Sequence, residues 1–340
     1  METGAATSGR PDPSAIVALA TAYWASMVLL AANRLRVFTV LSAGPLSAAD
    51  VAQECGAHPR SMAMLLNACV ARGLLARDGQ RYRNTSAAAA FLVEGKPAYL
   101  GGALRYSDDL YAVWGRLPEA VQSNAPPIRP ATILGDDPEK TRHFVLGMHD
   151  RARGVAASLA TSLDLAGRRH LLDVGGGPGT YAVMLVRQTP GLRATVLDLP
   201  AVVAIGRELV AGAGVADRVD FVAGDYTTTA FPRDVDVVLM SGILHRETPE
   251  GCRVLLRKAF EALVPGGLCT VSDVVFDDED KTSPPFATLF ALNMLLTSEH
   301  GSAHARTETA AWMRGAGFAD ITVRPLPPPM PHVVLLGVRP

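Results

Sequence analysis

The chain has 340 residues, of which 49% are hydrophobic and 19% charged, and its formal net charge at pH 7 is -1. The length exceeds the size at which a single core stops growing, which predicts two domains, and the apolar balance excludes a disordered chain. The small net charge provides no field to gather nucleic acid or an anionic membrane, so a small-molecule partner is expected. Four widely separated cysteines indicate neither a disulfide framework nor a zinc site and predict a cytoplasmic protein.

The N-terminal region begins with small and polar residues, and residues 1–12 are predicted to be disordered. Residues 15–32 then form an apolar stretch of about the length that can span a membrane. Polar side chains interrupt this stretch, and Asp12 and Pro13 precede it where a signal peptide would carry basic residues. We therefore expect no membrane segment. A helix buried on all sides at a dimer interface has the same composition.

Residues 46–83 predict a helix, a second helix and a hairpin. Ser47 is suited to N-cap the first helix, and the second begins near Pro59 and ends before Gly73. Short strands at 74–77 and 81–83 flank a turn signal. This order predicts a mainly α-helical winged-helix domain over residues 13–100. Its basic residues are too few and too scattered to favour DNA binding, although a ligand-sensing DNA-binding regulator remains an alternative.

The second half of the chain has a different pattern of predicted secondary structure. Residues 101–165 are predicted to be a helical linker that contributes to a substrate pocket. From residue 166 to 340, short β-branched segments alternate with longer helical ones, which is typical of a parallel sheet. The fold class predicted for this domain is α/β and Rossmann-like.

A glycine-rich loop in this domain indicates a nucleoside cofactor. The strand at 170–174 runs into the sequence DVGGGPG at 173–179, where glycines such as Gly175 and Gly177 allow a ligand to approach the backbone. About 20 residues later Asp198 ends the next strand, where a carboxylate can accept from ribose hydroxyls. Asp173 directly before the loop suits an ammonium group better than a pyrophosphate, because like charges repel. This combination favours S-adenosylmethionine over a dinucleotide.

Further candidates follow later strands. After the strand at 219–222, Asp225 could accept from an adenine amino group and Tyr226 offers an aromatic face. His245 lies just past the strand at 235–240, and Asp273 follows the strand at 268–272. If these two strands are neighbours, Asp273 can accept from one imidazole nitrogen and leave the other to take a proton from a substrate. We expect all of these side chains at one crevice, where open α/β sheets bind ligands.

Several motifs together resemble those of the plant-type and bacterial small-molecule O-methyltransferases. The matching segments are DVGGGPG at 173–179, DLP at 198–200, GDY at 224–226, LH at 244–245 and VPGG at 264–267. The resemblance implies an N-terminal winged-helix dimerisation domain, a homodimer, and a C-terminal class I methyltransferase domain over 166–340. It also implies S-adenosylmethionine as methyl donor, S-adenosylhomocysteine as product, no metal, and a hydroxylated aromatic or polyketide-like acceptor.

The resemblance also assigns site residues by motif position. It implies His245 as the general base and Asp273 as its acidic partner. The predicted cofactor set combines the residues singled out above with those that the motifs add: Asp173, Gly175, Gly177, Asp198, Leu199, Asp225, Tyr226 and Ser241. Position alone makes four residues candidates for the acceptor pocket, although the two methionines fit a core role as well: Met148, His149, Asn293 and Met294.

Three positions depart from the family pattern. Arg246 and Glu247 stand where the family usually has Asp or Asn and then an aromatic residue. Ala305, before an Arg-Thr pair, stands where the plant enzymes carry a second acidic residue beside the histidine. These departures keep open C- or N-methylation and a non-methylating reaction of the same cofactor. A dimeric scaffold without catalytic activity is a further alternative.

Overall fold

The computed structural model describes residues 11–129 and 137–340. The chain divides into two compact units, one reaching Arg105 and the other beginning at Tyr106. The division falls inside the segment expected to be a linker, and it leaves residues 106–165 in the same unit as the large sheet. Residues 1–12 were expected to be disordered. Residues 1–10 of that segment lie outside the described part of the chain.

The first unit contains five complete helices and three short strands, followed by the start of a sixth helix. They are α1 (Ser14–Arg34), α2 (Val37–Val40), β1 (Leu46–Ser47), α3 (Ala48–Glu54), α4 (Pro59–Ala71), β2 (Leu75–Asp78), β3 (Arg81–Asn84), α5 (Ser86–Phe91) and α6 (Gly101–Trp114). The strands form an antiparallel sheet in the order β1-β3-β2. Helix α3 begins where expected, because Ser47 and Asp50 form a reciprocal capping box. The predicted winged-helix fold is confirmed.

Helix α1 differs from the other helices of this unit in its exposure. Ile16, Leu19 and Trp24 are 73%, 78% and 61% exposed, whereas Leu30 and Ala32 near the C-terminal end are buried. Among the described residues it is the one helix long and apolar enough to cross a membrane by length and composition. A water-soluble chain normally covers an apolar surface of this kind with a partner.

The second unit is a sheet with helices on both faces. Its helices after α6 are α7 (Leu117–Ser123), α8 (Pro138–Ser162), α9 (Thr180–Gln188), α10 (Pro200–Gly212), α11 (Pro249–Ala262), α12 (Pro285–Thr297) and α13 (Arg306–Ala316). Its strands are β4 (His170–Val174), β5 (Arg193–Asp198), β6 (Val219–Ala223), β7 (Val235–Ser241), β8 (Leu263–Asp273), β9 (Ala319–Pro325) and β10 (Val333–Val338).

The seven strands have the order β6-β5-β4-β7-β8-β10-β9. Strands β4 to β8 are parallel, and β10 pairs antiparallel with both β8 and β9. Two buried apolar clusters cover the faces: one includes Val238 and Leu256 and the other includes Leu171 and Leu185. The strand order changes direction beside β4, which leaves a crevice at the carboxyl ends of β4, β5 and β7. The Rossmann-like fold predicted from the sequence is confirmed.

Strand β8 differs from its sequence-based boundaries. It was expected to begin at Leu268, but it begins at Leu263. Leu263 pairs with Val235, and the register then shifts so that Leu268 pairs with Val237. The glycine-containing segment is therefore an irregularity within the strand. Pairing with β7 keeps the chain extended on both sides of this segment.

Candidate active site

The crevice at the carboxyl edge collects a side chain from each central strand. Asp173 lies near the end of β4, Asp198 ends β5, Ser241 ends β7 and Asp273 ends β8. Ser241 pairs in register with Ser272, next to Asp273. Consecutive strand ends in the parallel part of the sheet thus place the predicted residues along one edge, as expected for a ligand site of an α/β sheet.

The glycine loop between β4 and α9 leaves no room for side chains at two positions. A Cβ on Gly175 would lie 2.3 Å from Cδ1 of Ile243, and one on Gly176 would lie 2.5 Å from the carboxyl group of Asp173. Gly175 also has a φ of +60°, in the left-handed region that favours glycine. Neighbouring side chains of the protein therefore require glycine at both positions.

Asp173 is completely buried, and its carboxyl group makes no well-formed hydrogen bond among the described residues, although the backbone N–H of Ala182 lies near enough to lower its pKa slightly. Burial raises the pKa of this carboxyl to about 8, and the nearby negative charge of Asp198 adds to the effect. A buried carboxyl without a partner is costly unless a cation or donor meets it. Ser241 Oγ is also buried, close to the hydroxyl of Tyr181 and with no other partner among the described residues. These polar atoms fit a ligand that brings an ammonium group, as S-adenosylmethionine does.

Asp198 organises the loop from the neighbouring strand. Its Oδ2 accepts from the backbone N–H of Gly177 at 2.7 Å, and its Oδ1 accepts from the N–H of Leu199 at 2.7 Å. Leu199 N-caps α10 and packs beside Val202 and Phe144. Burial raises the pKa of Asp198. The carboxylate is thus fixed between the glycine loop and α10, at the position expected for a contact with ribose hydroxyls.

The loop after β6 carries Asp225 and Tyr226. Asp225 is exposed, and its Oδ1 accepts from the backbone N–H and the hydroxyl of Thr227, at 2.8 and 2.7 Å. The Tyr226 ring faces the glycine loop, and its hydroxyl donates to Glu247 Oε1 at 2.8 Å. Burial raises the pKa of Tyr226, and the charge of Glu247 raises it further. Glu247, which departs from the family pattern, therefore links the Tyr226 loop to the histidine turn.

His245 and Asp273 form a close pair. His245 sits in a 3₁₀ turn, Leu244–Arg246, and its Nδ1–H donates to Asp273 Oδ1 at 2.6 Å. The backbone N–H of His245 donates to Oδ2 at 3.2 Å. Burial by itself would raise the pKa of Asp273, but the adjacent His245 and its hydrogen bond hold it below the usual value.

The pairing decides which nitrogen of His245 can act on a substrate. A carboxylate only accepts hydrogen bonds, so Nδ1 carries the proton and Nε2 has a free lone pair. The side chain of His245 remains 13% exposed, while that of Asp273 is 4% exposed. The ring of Phe290 packs edge-on against the imidazole at 4.8 Å. This arrangement can accept a proton at Nε2 and stabilise the imidazolium that results.

The four residues predicted for the acceptor pocket lie in different surroundings. His149 Nδ1 is 2.9 Å from the hydroxyl of Thr180 at the start of α9, and burial lowers the pKa of His149 to about 4. Met148 is half-buried. The side-chain oxygen of Asn293 accepts from the indole N–H of Trp114 at 3.2 Å. Met294 is buried in one cluster with Phe290, the residue that packs against His245.

Two histidines near the base were missed in the sequence. His332 precedes Val333, which pairs with Asp273, and its buried Nδ1 has no partner among the described residues. Burial lowers the pKa of His332 to about 4, so it is neutral at pH 7. His304 is buried and contacts the backbone of the His245 turn. No local pattern signalled either residue, because each reaches the site through a distant segment.

A cavity of about 440 Å³ opens between α6 and α8 in the second unit, and its lining includes Tyr106, Leu110, Phe144 and His143. The rings of Tyr106 and Phe144 pack edge-on at 5.3 Å. The lining also contains the charged residues Asp109, Asp137, Glu139 and Lys140, so it is mixed rather than apolar, and the volume is enough for a small molecule. Within the described ranges, no group of three or more His, Cys, Asp or Glu side chains is arranged to hold a metal ion.

Comparisons with known proteins agree with this fold. Residues 119–319 match the family model of the O-methyltransferase domain, and residues 17–94 match that of the O-methyltransferase dimerisation domain. A 3-hydroxy-5-methyl-1-naphthoate 3-O-methyltransferase from Streptomyces sahachiroi is 36% identical, over 98% of this chain and 98% of that protein.

A second relative is the tetracenomycin polyketide synthesis 8-O-methyl transferase of Streptomyces glaucescens. It is 37% identical over 91% of this chain and 92% of its own length. The crystal structure of human N-acetylserotonin methyltransferase with S-adenosylmethionine superimposes with a TM-score of 0.87 at 26% identity, covering 98% of this chain and 99% of that one. The chain belongs to the family of S-adenosylmethionine-dependent O-methyltransferases that carry an N-terminal dimerisation domain.

Proposed function

We propose that this enzyme methylates a hydroxyl group of an aromatic, polyketide-like small molecule, with His245 as general base and Asp273 as its orienting partner. The observation that carries the proposal is the 2.6 Å hydrogen bond between His245 Nδ1–H and Asp273, which leaves Nε2 free beside the cofactor crevice. Relatives acting on a naphthoate and on a tetracenomycin polyketide support the acceptor class. The cavity of about 440 Å³ beside Tyr106 and Phe144 has room for such a molecule.

Different residues of this chain have different roles in the proposed reaction. S-adenosylmethionine, when bound, supplies an electrophilic methyl group on a sulfonium centre. The Asp173 carboxylate and the glycine loop would hold the amino-acid end of the cofactor, and Asp198 and Leu199 would hold the ribose side. Asp225, Tyr226 and Ser241 would complete the contacts. The enzyme gains much of its rate by holding the acceptor hydroxyl in line with the methyl group.

The base need not ionise the acceptor beforehand. A phenol has a pKa of about 10 and an imidazole about 6.5, so full proton transfer before methylation would cost roughly 5 kcal/mol. Proton transfer from the hydroxyl to His245 Nε2 would therefore accompany formation of the O–CH3 bond, while the S–CH3 bond breaks and S-adenosylhomocysteine leaves. Asp273, buried and ionised, stabilises the imidazolium formed in that step. Afterwards the imidazolium releases its proton to solvent, because His245 is partly exposed.

The decisive experiment offers the purified enzyme S-adenosylmethionine and 3-hydroxy-5-methyl-1-naphthoate, followed by mass spectrometry and NMR of the product. A methoxy carbon on the ring supports the proposal. A methyl group on carbon, or on nitrogen with an amine-bearing acceptor, would place the chain with the C- or N-methylating alternative. Consumption of the cofactor without methylated product would indicate the non-methylating reaction. Failure to bind the cofactor would identify a scaffold.

The enzyme is further proposed to be a cytoplasmic homodimer that associates through its N-terminal unit. The dimerisation-domain match and the exposed apolar side chains of α1, including Leu19 and Trp24, support this assembly. Sedimentation velocity should show a dimer, and Leu19→Asp should shift it towards monomer. A monomeric wild-type protein at micromolar concentration would contradict the assembly.

Neither nucleic acid nor a membrane is proposed as a partner. In the hairpin, Arg77 donates to Gly79 O at 2.8 Å and its guanidinium lies over the Tyr82 ring, while Arg81 donates to Pro45 O. These arginines are occupied within their own unit rather than arrayed for phosphates. Salt-dependent binding of a labelled DNA duplex would revive the regulator alternative, and sedimentation with anionic vesicles would revive a membrane role.

A further inference from the structure

We propose that His304 is a positioning residue that fixes the turn carrying His245. The inference rests on the proposed role of His245 as general base. His304 lies in the segment between α12 and α13, about 60 residues after His245. It acts on His245 through the backbone carbonyls of the turn.

His304 contacts the backbone on both sides of His245. Its side chain is buried, and Nε2 lies 3.0 Å from the carbonyl oxygen of Leu244 and 3.1 Å from that of Glu247. Carbonyl oxygens only accept hydrogen bonds, so Nε2 carries the proton and donates to both. One carbonyl precedes His245 by one residue and the other follows it by two. A single imidazole thus connects the two ends of the turn.

The segment that holds His304 is itself well anchored. The His304 ring packs edge-on against Trp312, with ring centroids 4.9 Å apart, and its backbone oxygen accepts from the N–H of Phe276 at 2.9 Å. Two residues earlier, the N–H of Ser302 donates to the carbonyl of His245 at 2.8 Å. Residues 302–304 therefore hold carbonyls at three of the four positions from 244 to 247.

This clamp matters because the turn has few backbone bonds of its own, although Cys252 Sγ also lies 3.4 Å from Leu244 O and 3.5 Å from His304 Nε2. Within the turn, Arg246 N–H donates to Ile243 O at 3.0 Å and Glu247 N–H donates to Leu244 O at 3.1 Å. The short hydrogen bond to Asp273 requires the imidazole to stay in register with a fixed strand end. A misplacement of about 1 Å in a catalytic group can cost about 100-fold in rate.

The clamp also accounts for the neighbouring departure from the plant-type pattern. Ala305 is fully buried and has no polar side chain that could bond to His245. Its backbone N–H is occupied by the carboxylate of Glu308 at 2.8 Å. Support for the base from this segment therefore comes through the backbone of the turn, from His304 and Ser302, rather than from a second acidic side chain.

The test uses two substitutions of the full-length enzyme. His304→Phe keeps an aromatic ring against Trp312 and removes the donor, whereas His304→Gln keeps an N–H donor. We expect His304→Phe to lower kcat by about 10- to 100-fold, with the acceptor KM and the Kd for S-adenosylhomocysteine changing less than about threefold, and His304→Gln to restore most of kcat. His300→Phe, at an exposed histidine of the same segment, is the matched control.

Thermal melts establish that each variant is folded at the assay temperature. A His304→Phe enzyme with wild-type kcat would overturn the proposal. So would a parallel loss of kcat, acceptor affinity and S-adenosylhomocysteine affinity, because that is the signature of general damage. In a His245→Ala background, His304→Phe should cause no further loss of residual transfer. An equal loss in both backgrounds would show that His304 does not act through the base.

A spectroscopic measurement on the ligand-free enzyme separates this inference from the proposed function. The proton on His245 Nδ1, in its 2.6 Å bond to Asp273, should give a low-field NMR resonance that is absent in His245→Ala. His304→Phe should shift or broaden this resonance, and His304→Gln should retain it. An unchanged resonance contradicts the clamp. If the wild-type enzyme methylates none of the acceptors, the proposed function fails while this readout still decides the role of His304.

Discussion

Replacing Asp273 with asparagine should lower kcat by about 100- to 1,000-fold and leave cofactor binding nearly unchanged. The substitution is close to a pure removal of charge. Oδ1 of Asp273 accepts from His245 Nδ1–H at 2.6 Å and from the N–H of Val274 at 2.8 Å, and an amide oxygen in that position can keep both bonds. The substitution removes only the longer hydrogen bond, in which Oδ2 accepts from the backbone N–H of His245 at 3.2 Å.

The magnitude follows from the buried geometry. In the transition state the imidazole gains a positive charge whose centre lies roughly 4 Å from the carboxylate. At an effective dielectric constant of about 20, that attraction amounts to about 4 kcal/mol. About 1.4 kcal/mol corresponds to a factor of ten, so the full attraction would be worth about 1,000-fold in kcat. Residual solvent access at His245 screens part of the attraction, so the expected loss is about 100- to 1,000-fold.

The assay measures single-turnover transfer of a radiolabelled methyl group from S-adenosylmethionine to the naphthoate acceptor, with calorimetric titration of S-adenosylhomocysteine in parallel. Asp278→Asn, which makes the same exchange at an exposed position after the same strand, serves as the control and should behave as wild type. An Asp273→Asn enzyme whose single-turnover rate stays within about threefold of wild type would refute the reasoning, because the buried charge would then contribute nothing to the proton transfer.

Three further predictions concern the base and the cofactor crevice. His245→Ala should lose most methyl transfer while still binding S-adenosylhomocysteine, and near-normal turnover would remove His245 from the mechanism. Asp198→Ala should raise the Kd for S-adenosylhomocysteine by about 10- to 100-fold, because hydrogen bonds to a charged group contribute about 1.5–3 kcal/mol each; an unchanged titration would contradict this contact. Burial raises the pKa of Asp173 to about 8, so the free carboxyl is mostly protonated near pH 7, and an incoming ammonium group favours its ionised form. Cofactor binding should then release about one proton near pH 7, and the affinity should increase as the pH rises from about 6 to 7.5. Calorimetry in buffers of different ionisation enthalpy measures this proton release, and Asp173→Asn should abolish it. Equal heats in all buffers would refute the prediction.

Much of the fold could be predicted from local signals. Ser47 and Asp50 form the capping box that marks the start of α3, and the alternation of strands and helices after residue 166 predicted the parallel sheet. These signals are short-range, since a cap or an amphipathic period depends on residues within a few positions. The start of β8 was misplaced because Leu263 is held extended by pairing with Val235, a contact that no local pattern records.

The candidate site shows the same division. Strand ends mark Asp173, Asp198 and Asp273 in the sequence, because a parallel sheet brings carboxyl ends to one edge. The partner of Asn293, by contrast, is Trp114, which lies 179 positions away. Position along the chain placed Asn293 near the acceptor pocket but carried no information about this bond. The link between Tyr226 and Glu247 was missed for the same reason.

The sequence by itself determined the α/β class, the glycine loop, the acids that follow the strands and the histidine after β7. Each of these depends on residue type and spacing along one segment. Only the tertiary structure decided that Asp173 is completely buried near Asp198 and that Asp273 accepts a hydrogen bond from His245 Nδ1. It also placed the His304 side chain against the His245 turn. Burial and hydrogen-bond pairing depend on segments brought together by folding, so they change the chemistry of a residue without leaving a trace in its neighbours along the chain.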